Sequence, residues 1–367
     1  MSLIYRVKSM VKSISYLEMS PSFVVNLMKV FVLKKLNYSR TIEYPLHICL
    51  DITYACNARC DFCFNRELPH NFAKFSIDSL KKILSELPKK GCHLFLSGGE
   101  PFIHKEIFEM IDLIKKAGHS CGLVTNSTLL NEEKVKKLIA LKLDYVFFSL
   151  HGDQERHDKI TKIDGSFDKV LSALEMFKKF DPKNRCKLHV NSVITSENLH
   201  HYPQLIEKMS HYSLNTFRLA HPTFNFENEI KAFQPINHKY FSDNIDVNTL
   251  VIKERSLNPE EIIGLVNRLK KMKTDKMDIF FKPELSQNEI RSWYSKNNKI
   301  KRECFFIYTS LFIDPLGDIY PCPFLKRKMG NINDNSLAKI WNNLEYRKTR
   351  RLINDKFPLV CRRCCKI

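Results

Sequence analysis

From residue 46 onward, apolar runs of strand length alternate with helix-period stretches, and this alternation restricts the fold more than any other feature of the chain. Strand-like runs occupy 47–52, 93–97, 121–125, 144–150, 188–194 and 216–220. Helix-period stretches fill the gaps at about 76–87, 104–117, 132–141, 166–180 and 199–211. Strands joined by crossovers of this length pair in parallel, with right-handed connections. Six units are too few for a closed eight-unit barrel. The spacing therefore predicts an α/β chain built on a partial (β/α)6 TIM-like barrel, open on one side.

The rest of the chain divides around that core, taken as residues 46–225. Residues 1–45 read as a basic amphipathic N-terminal extension. Ile4, Val7, Val11 and Ile14 line one helix face, and Arg6, Lys8, Lys12, Lys29, Lys34, Lys35 and Arg40 face only Glu18 and Glu43 as acids. Such a segment suits an anionic membrane surface or packs on the main domain. Residues 226–300 form a connecting helical region, with a helix at 259–273 opened by Asn258-Pro259, a short strand at 278–282 and a helix near 286–296. Residues 301–367 begin a different unit, with a hairpin-like passage through Pro315-Leu316-Gly317-Asp318. The apolar run from Phe23 to Leu33 is broken by Asn26 and Lys29 and falls short of the ~20 residues a membrane span needs.

Twelve cysteines without a secretory signal pattern argue against a disulfide framework and for metal chemistry in a reducing cytosol. Cys49, Cys92, Cys121 and Cys186 lie in or beside apolar runs and read as core residues. Cys56, Cys60 and Cys63 form a C-x3-C-x2-C loop directly after the first strand. Three thiolates underfill a structural zinc site. They suit an iron–sulfur cluster with one iron left open. The second strand ends in Ser97-Gly98-Gly99-Glu100-Pro101, where glycines admit close approach of a ligand at the same barrel mouth. Cys304, Cys322, Cys361 and Cys364 form a second set, able to enclose a cluster fully or to hold zinc, with Cys365 as a spare thiol that can replace Cys364.

With these residues in place, the sequence resembles the radical S-adenosylmethionine superfamily over roughly residues 46–220. The resemblance rests on Cys56, Cys60 and Cys63 and on Gly98-Gly99-Glu100-Pro101. It continues through Ser149-Leu150-His151-Gly152, His157-Asp158 and Gly165-Ser166-Phe167. It implies that the three cysteines hold a 4Fe–4S cluster whose fourth iron chelates S-adenosylmethionine. One-electron reduction, from a flavodoxin- or ferredoxin-type donor, would then yield a 5′-deoxyadenosyl radical that abstracts hydrogen from a substrate.

The resemblance also implies residue roles. Phe62 touches adenine, the turn of Gly98, Gly99, Glu100 and Pro101 receives the methionine amino group, and Ser149 and Asn191 serve the ribose or carboxylate. Relatives carry an arginine shortly after the His-Asp pair, where this chain has Thr161 between Lys159 and Lys162. The C-terminal cysteines resemble the SPASM domain and its shortened twitch form, with Gly330-Asn331-Ile332 and Lys339-Ile340-Trp341 as further matching stretches. One auxiliary 4Fe–4S cluster, serving electron transfer or support, is the expectation. Oxidation of a substrate radical calls for a base, so Arg218 is read as a substrate-binding residue and His221 as a proton acceptor.

The substrate expected from the sequence is a small or lipid-linked carbohydrate-like molecule, oxidised or epimerised, because the first 45 residues are too short for a folded peptide-recognition domain. The alternative enzyme reading is a peptide or protein maturase. With a net charge of +19, a zinc-bearing nucleic-acid-binding protein is the non-enzyme alternative, but no nucleic-acid-binding motif accompanies the charge. The expected location is cytoplasmic, with peripheral contact at the inner membrane face.

Overall fold

The computed structural model describes residues 21–365 apart from 37–40, 64, 66–72, 242–256, 273, 275–276, 297, 299, 301, 326 and 357. Ile4, Val7, Val11 and Ile14 of the N-terminal extension lie outside the described residues.

A first helix, α1 (Pro21–Lys35), precedes β1 (His47–Thr53). There follow α2 (Ile77–Glu86), β2 (His93–Gly98), α3 (Ile107–Lys116), β3 (Ser120–Thr125), α4 (Glu132–Ala140) and β4 (Tyr145–Ser149). Two helices, α5 (Gln154–Thr161) and α6 (Ser166–Phe180), lead to β5 (Lys187–Val193), then α7 (Tyr202–Met209) and β6 (Thr216–Ala220). The connecting region supplies α8 (Glu227–Phe241), α9 (Pro259–Lys271), β7 (Asp278–Lys282) and α10 (Gln287–Trp293). The last part holds α11 (Phe306–Thr309), β8 (Ser310–Ile313), β9 (Asp318–Tyr320), β10 (Gly330–Asn331), α12 (Leu337–Trp341), α13 (Leu344–Lys356) and α14 (Leu359–Arg362).

One sheet carries all the strands, in the order β10-β9-β8-β1-β2-β3-β4-β5-β6-β7. The six expected strands are parallel neighbours in sequence order. Two further strands extend the parallel array: β7 pairs with β6, and β8 pairs with the far side of β1. β8 and β9 then form the antiparallel hairpin expected at Pro315–Asp318, with Ile313 opposite Ile319.

Local chemistry explains the helix boundaries. Ser76, Asn131 and Asp153 cap α2, α4 and α5, each side chain accepting from a backbone N–H of the first turn. Ser286 and Glu289 form a full capping box on α10. Alternation along the strands sends Ile48, Leu50, Val146, Phe148, Val190 and Leu219 outward against the helices in the main apolar core. The opposite parity faces the barrel interior. That interior is closed at its base by rings: His47 stacks on His93 with centroids 5.0 Å apart, and Phe147 packs on His189 at 4.8 Å. Tyr145 lies between these pairs, 5.2 Å from His93. Gly122 makes room for it, since a Cβ there would meet the Tyr145 ring at 2.2 Å.

Candidate functional site

Thr53 ends β1 and delivers the chain into the Cys56–Cys63 loop. The loop is clasped from below by the glycine turn after β2: Gly99 N–H donates to Thr53 O (2.8 Å) and Glu100 N–H to Ala55 O (2.9 Å). Gly98 takes φ +118, and Cβ atoms at Gly98 and Gly99 would strike the carbonyl oxygens of Thr53 at 2.2 Å and Ala55 at 2.1 Å. Only glycines permit this approach. The Glu100 carboxylate points inward, 1% exposed, and accepts from Thr125 Oγ1 and Asn126 N–H at 2.8 Å each and from Phe102 N–H at 3.2 Å. Burial pushes its pKa up to about 7. The Glu100 side chain ties the turn to β3 through these donors. Pro101 is buried and opens a short 3-10 turn.

The three loop sulfurs stand within electrostatic reach of one another, Cys60 with Cys56 and Cys63, and Cys56 with Cys63. Burial pushes the Cys56 thiol up to about 11 and Cys60 up to about 12. These sulfurs would ionise only against a metal, and thiolate is the ligand form that iron–sulfur clusters use. Ala58 N–H donates to Cys56 Sγ at 3.4 Å. Among the described residues no three His, Cys, Asp or Glu side chains close on a point as around a single ion.

Asn57 hydrogen-bonds Asn126 (2.9 Å) and Thr128 (2.7 Å), pinning the loop to the end of β3. Lys162 pairs with Asp61 at 3.1 Å, and Lys159 with Glu197 at 3.6 Å. Both lysines that flank Thr161 thus form exposed ion pairs with protein acids. Phe62 packs edge-on against His151 with centroids 4.7 Å apart. Asn198 and Val193 hold His151 in turn, through its carbonyl (2.7 Å) and its Nδ1 (3.3 Å).

Strand register sets Ser149, Asn191 and Arg218 in one row across β4, β5 and β6. Arg218 Nε donates to Asn191 Oδ1 at 2.9 Å, and the guanidinium lies 4.2 Å from the Phe147 ring centroid. Burial lowers the Arg218 pKa, with Cys365 and Tyr145 acting in the opposite sense. Among the described residues no salt bridge reaches the half-buried guanidinium.

His221 is a correction to the sequence reading. Parity along β6 turns it to the outer face, among Phe281, Trp293 and Tyr294. Its Nδ1 bonds Tyr294 Oη at 2.7 Å, and burial lowers its pKa to about 3. It does not share the interior with Arg218.

The second cysteine set lies at the other end of the barrel. Cys304, Cys322 and Cys361 share one apolar core with Cys49 of β1 and Phe312 of β8. The Phe306 ring meets His47, the first residue of β1, at 6.1 Å. Cys361 feels Cys304, Cys364 and Cys322 electrostatically, whereas Cys365 acts on Arg218. Backbone N–H groups of Phe306 and Ile307 favour ionised Cys304, and Leu325 N–H donates to Cys322 Sγ at 3.3 Å. Four grouped sulfurs, two of them with N–H donors aimed at them, fit an iron–sulfur cluster. Arg363, between Cys361 and Cys364, is fully buried. It pairs with Glu229 of α8 at 2.7 Å and donates to Ser295 O at 2.6 Å. Nothing in the spacing of the cysteines pointed to this pair.

Comparison with known proteins agrees with both ends of the barrel. Residues 50–209 match the Radical SAM superfamily, and residues 304–365 match the iron-sulfur cluster-binding domain SPASM. The chain is 31% identical to the PqqA peptide cyclase of Rhodopseudomonas palustris over 172 residues, 46% of this chain and 45% of that one. It thus matches about half the length of that relative. It is 24% identical to the AdoMet-dependent heme synthase of Methanosarcina barkeri over 323 residues, 83% of this chain and 85% of that one. The fold is shared with Streptococcus suis SuiB bound to S-adenosylmethionine: TM-score 0.64, 18% identity, 92% of this chain and 75% of the other. The chain belongs to the radical SAM superfamily with a SPASM domain over residues 304–365, and its cofactors are S-adenosylmethionine and iron–sulfur clusters.

Proposed function

We propose that the chain is a peptide or protein maturase that oxidises or crosslinks a residue held inside the barrel. The observation that carries this reading is the 31% identity to a PqqA peptide cyclase over 172 residues, 46% of the chain. It draws the substrate away from the carbohydrate-like molecule expected from the sequence. The family assignment likewise displaces the zinc-bearing nucleic-acid reading.

Bound at the Cys56–Cys60–Cys63 loop, the cluster and S-adenosylmethionine supply one-electron hydrogen abstraction. The chain's own residues do the rest. The glycine clasp and the Asn57–Asn126 bond fix the loop. Phe62 offers an apolar face, and Ser149 and Asn191 offer polar groups on the row below it. Arg218 holds an anionic group of the substrate, and the ring layer of His47, His93, Tyr145 and His189 closes the base against water. Cys304, Cys322, Cys361 and Cys364, beyond that layer, would hold one auxiliary cluster, which would supply electron transfer.

A second reading draws on the heme synthase relative, the match that spans 83% of the chain. A haem-type macrocycle carries carboxylates that suit Arg218. Both readings meet one experiment. Anaerobically reconstituted protein is given S-adenosylmethionine, dithionite and either short acidic peptides encoded beside the gene or iron-free and iron-loaded carboxylated porphyrins. Mass spectrometry then follows each candidate. A peptide losing two hydrogens, with deuterium passing into 5′-deoxyadenosine, supports the maturase. Turnover of porphyrin alone overturns it.

A further inference from the structure

The helix α1 is apolar on two opposite faces, and the fold uses only one of them. Phe23, Leu27 and Val30 are buried at 6%, 9% and 0% exposure, in the core that also holds Cys304. At 100° per residue, Val25, Met28, Val32 and Leu36 fall on the opposite side. They are 55%, 55%, 52% and 63% exposed. Among the described residues only two other large hydrophobic side chains, Leu316 and Leu344, are comparably exposed, so the apolar surface is concentrated on this stripe.

The stripe cannot roll inward. Phe31 stacks on Phe305 with centroids 5.7 Å apart, Lys34 pairs with Glu303 at 2.9 Å while lying over the Phe305 ring, and Asn26 donates to Tyr44 Oη at 3.0 Å. Leu36 N–H bonds Val32 O at 3.0 Å, which carries the helical path one residue beyond Lys35.

We propose that this stripe seats the protein on an anionic lipid bilayer, in the plane between headgroups and acyl chains. Charge selects the occupant. The helix contains no acid, and Lys29 and Lys35 border the stripe on either side, both exposed. That is the arrangement in which lysine heads reach anionic headgroups while apolar side chains enter the lipid. A second copy packed on the same face would bring these lysines against their own equivalents, in a chain of net charge +19. Among the described residues no helix is long and apolar enough to cross a membrane, so the contact is peripheral. The helix packs beside Tyr44 and Cys304, at the base of the barrel. Docking there leaves the mouth with its Cys56–Cys63 loop turned away from lipid.

The test uses the full holoprotein under anaerobic conditions. Flotation is measured with vesicles of 70:30 phosphatidylcholine and phosphatidylglycerol, and with phosphatidylcholine alone. The wild type is expected to float with the mixed vesicles at least about fivefold more than with the neutral ones. Val25→Ser/Met28→Ser/Val32→Ser is expected to lower flotation about tenfold, with iron content and melting temperature unchanged. Equal flotation of the triple variant, or no preference for anionic vesicles, overturns the proposal. A wild type that is dimeric by light scattering and becomes monomeric in the triple variant assigns the face to a second copy and overturns it too.

Discussion

Cys364 and Cys365 are neighbours in sequence but differ in surroundings. Cys364 is grouped with Cys361, and Cys365 acts on Arg218 in the barrel interior. Replacing Cys364 by Ser is therefore expected to cut iron in the reconstituted protein from about eight to about four per chain, whereas Cys365→Ser keeps about eight. Iron assay and the visible spectrum check this; equal loss in both variants would refute the distinction. The cysteine spacings made both sets legible in the sequence; in the first, a loop of eight residues can aim its thiols only locally. The choice between Cys364 and Cys365 was not legible, because it depends on how the chain turns at Arg363. His221 shows the converse case. Period-two alternation through β6 already separates residues 218 and 221, so the sequence held the signal that takes His221 out of the interior.

The short C-terminal helix α14 is held by a buried charge pair rather than by its own length. Arg363 closes on Glu229 of α8, and its guanidinium lies 4.6 Å from Phe224. Arg363→Ala would leave Glu229 buried without its partner, at a cost of about 3–5 kcal/mol. The double variant Arg363→Met/Glu229→Met should recover most of that loss. Urea denaturation of the three proteins measures it, and a single variant as stable as the wild type would remove the pair from its anchoring role. Individual elements were readable from periodicity and caps, as with Asn258-Pro259 and α9. Their partners were not. β8 lies some 260 residues from β1 in the chain and still pairs with it, and no local pattern encodes a contact at that separation. The helix α5, which carries His157, escaped notice because it is short and polar.

Across the molecule, several imidazoles are kept neutral by burial. His93, His189 and His221 have pKa values lowered to about 3, and His157 to about 4. In the unfolded chain each takes up a proton near pH 6.5, whereas in the folded chain each stays neutral far below that. Below pH 6.5 the unfolded state thus binds more protons, and stability falls as pH falls. At pH 5.5 each site has lost about 1.4 kcal/mol, on the order of 5 kcal/mol for the four. Glu100, raised to about 7, works in the opposite sense and returns about 2 kcal/mol over the same window. The expected net loss from these five groups between pH 7.5 and 5.5 is about 4 kcal/mol. Urea midpoints at the two values, read by fluorescence, give the answer, and a flat profile would contradict the neutral floor of the barrel.

Phe23, Leu27 and Val30 share their core with Cys304, Cys322 and Cys361. Whatever organises those sulfurs also organises the ground on which α1 rests. If α1 seats the protein on lipid as proposed, assembly of the second metal centre would steady the surface that carries that contact. Disorder at those sulfurs would then be felt at Phe23, Leu27 and Val30, the buried side of the same helix.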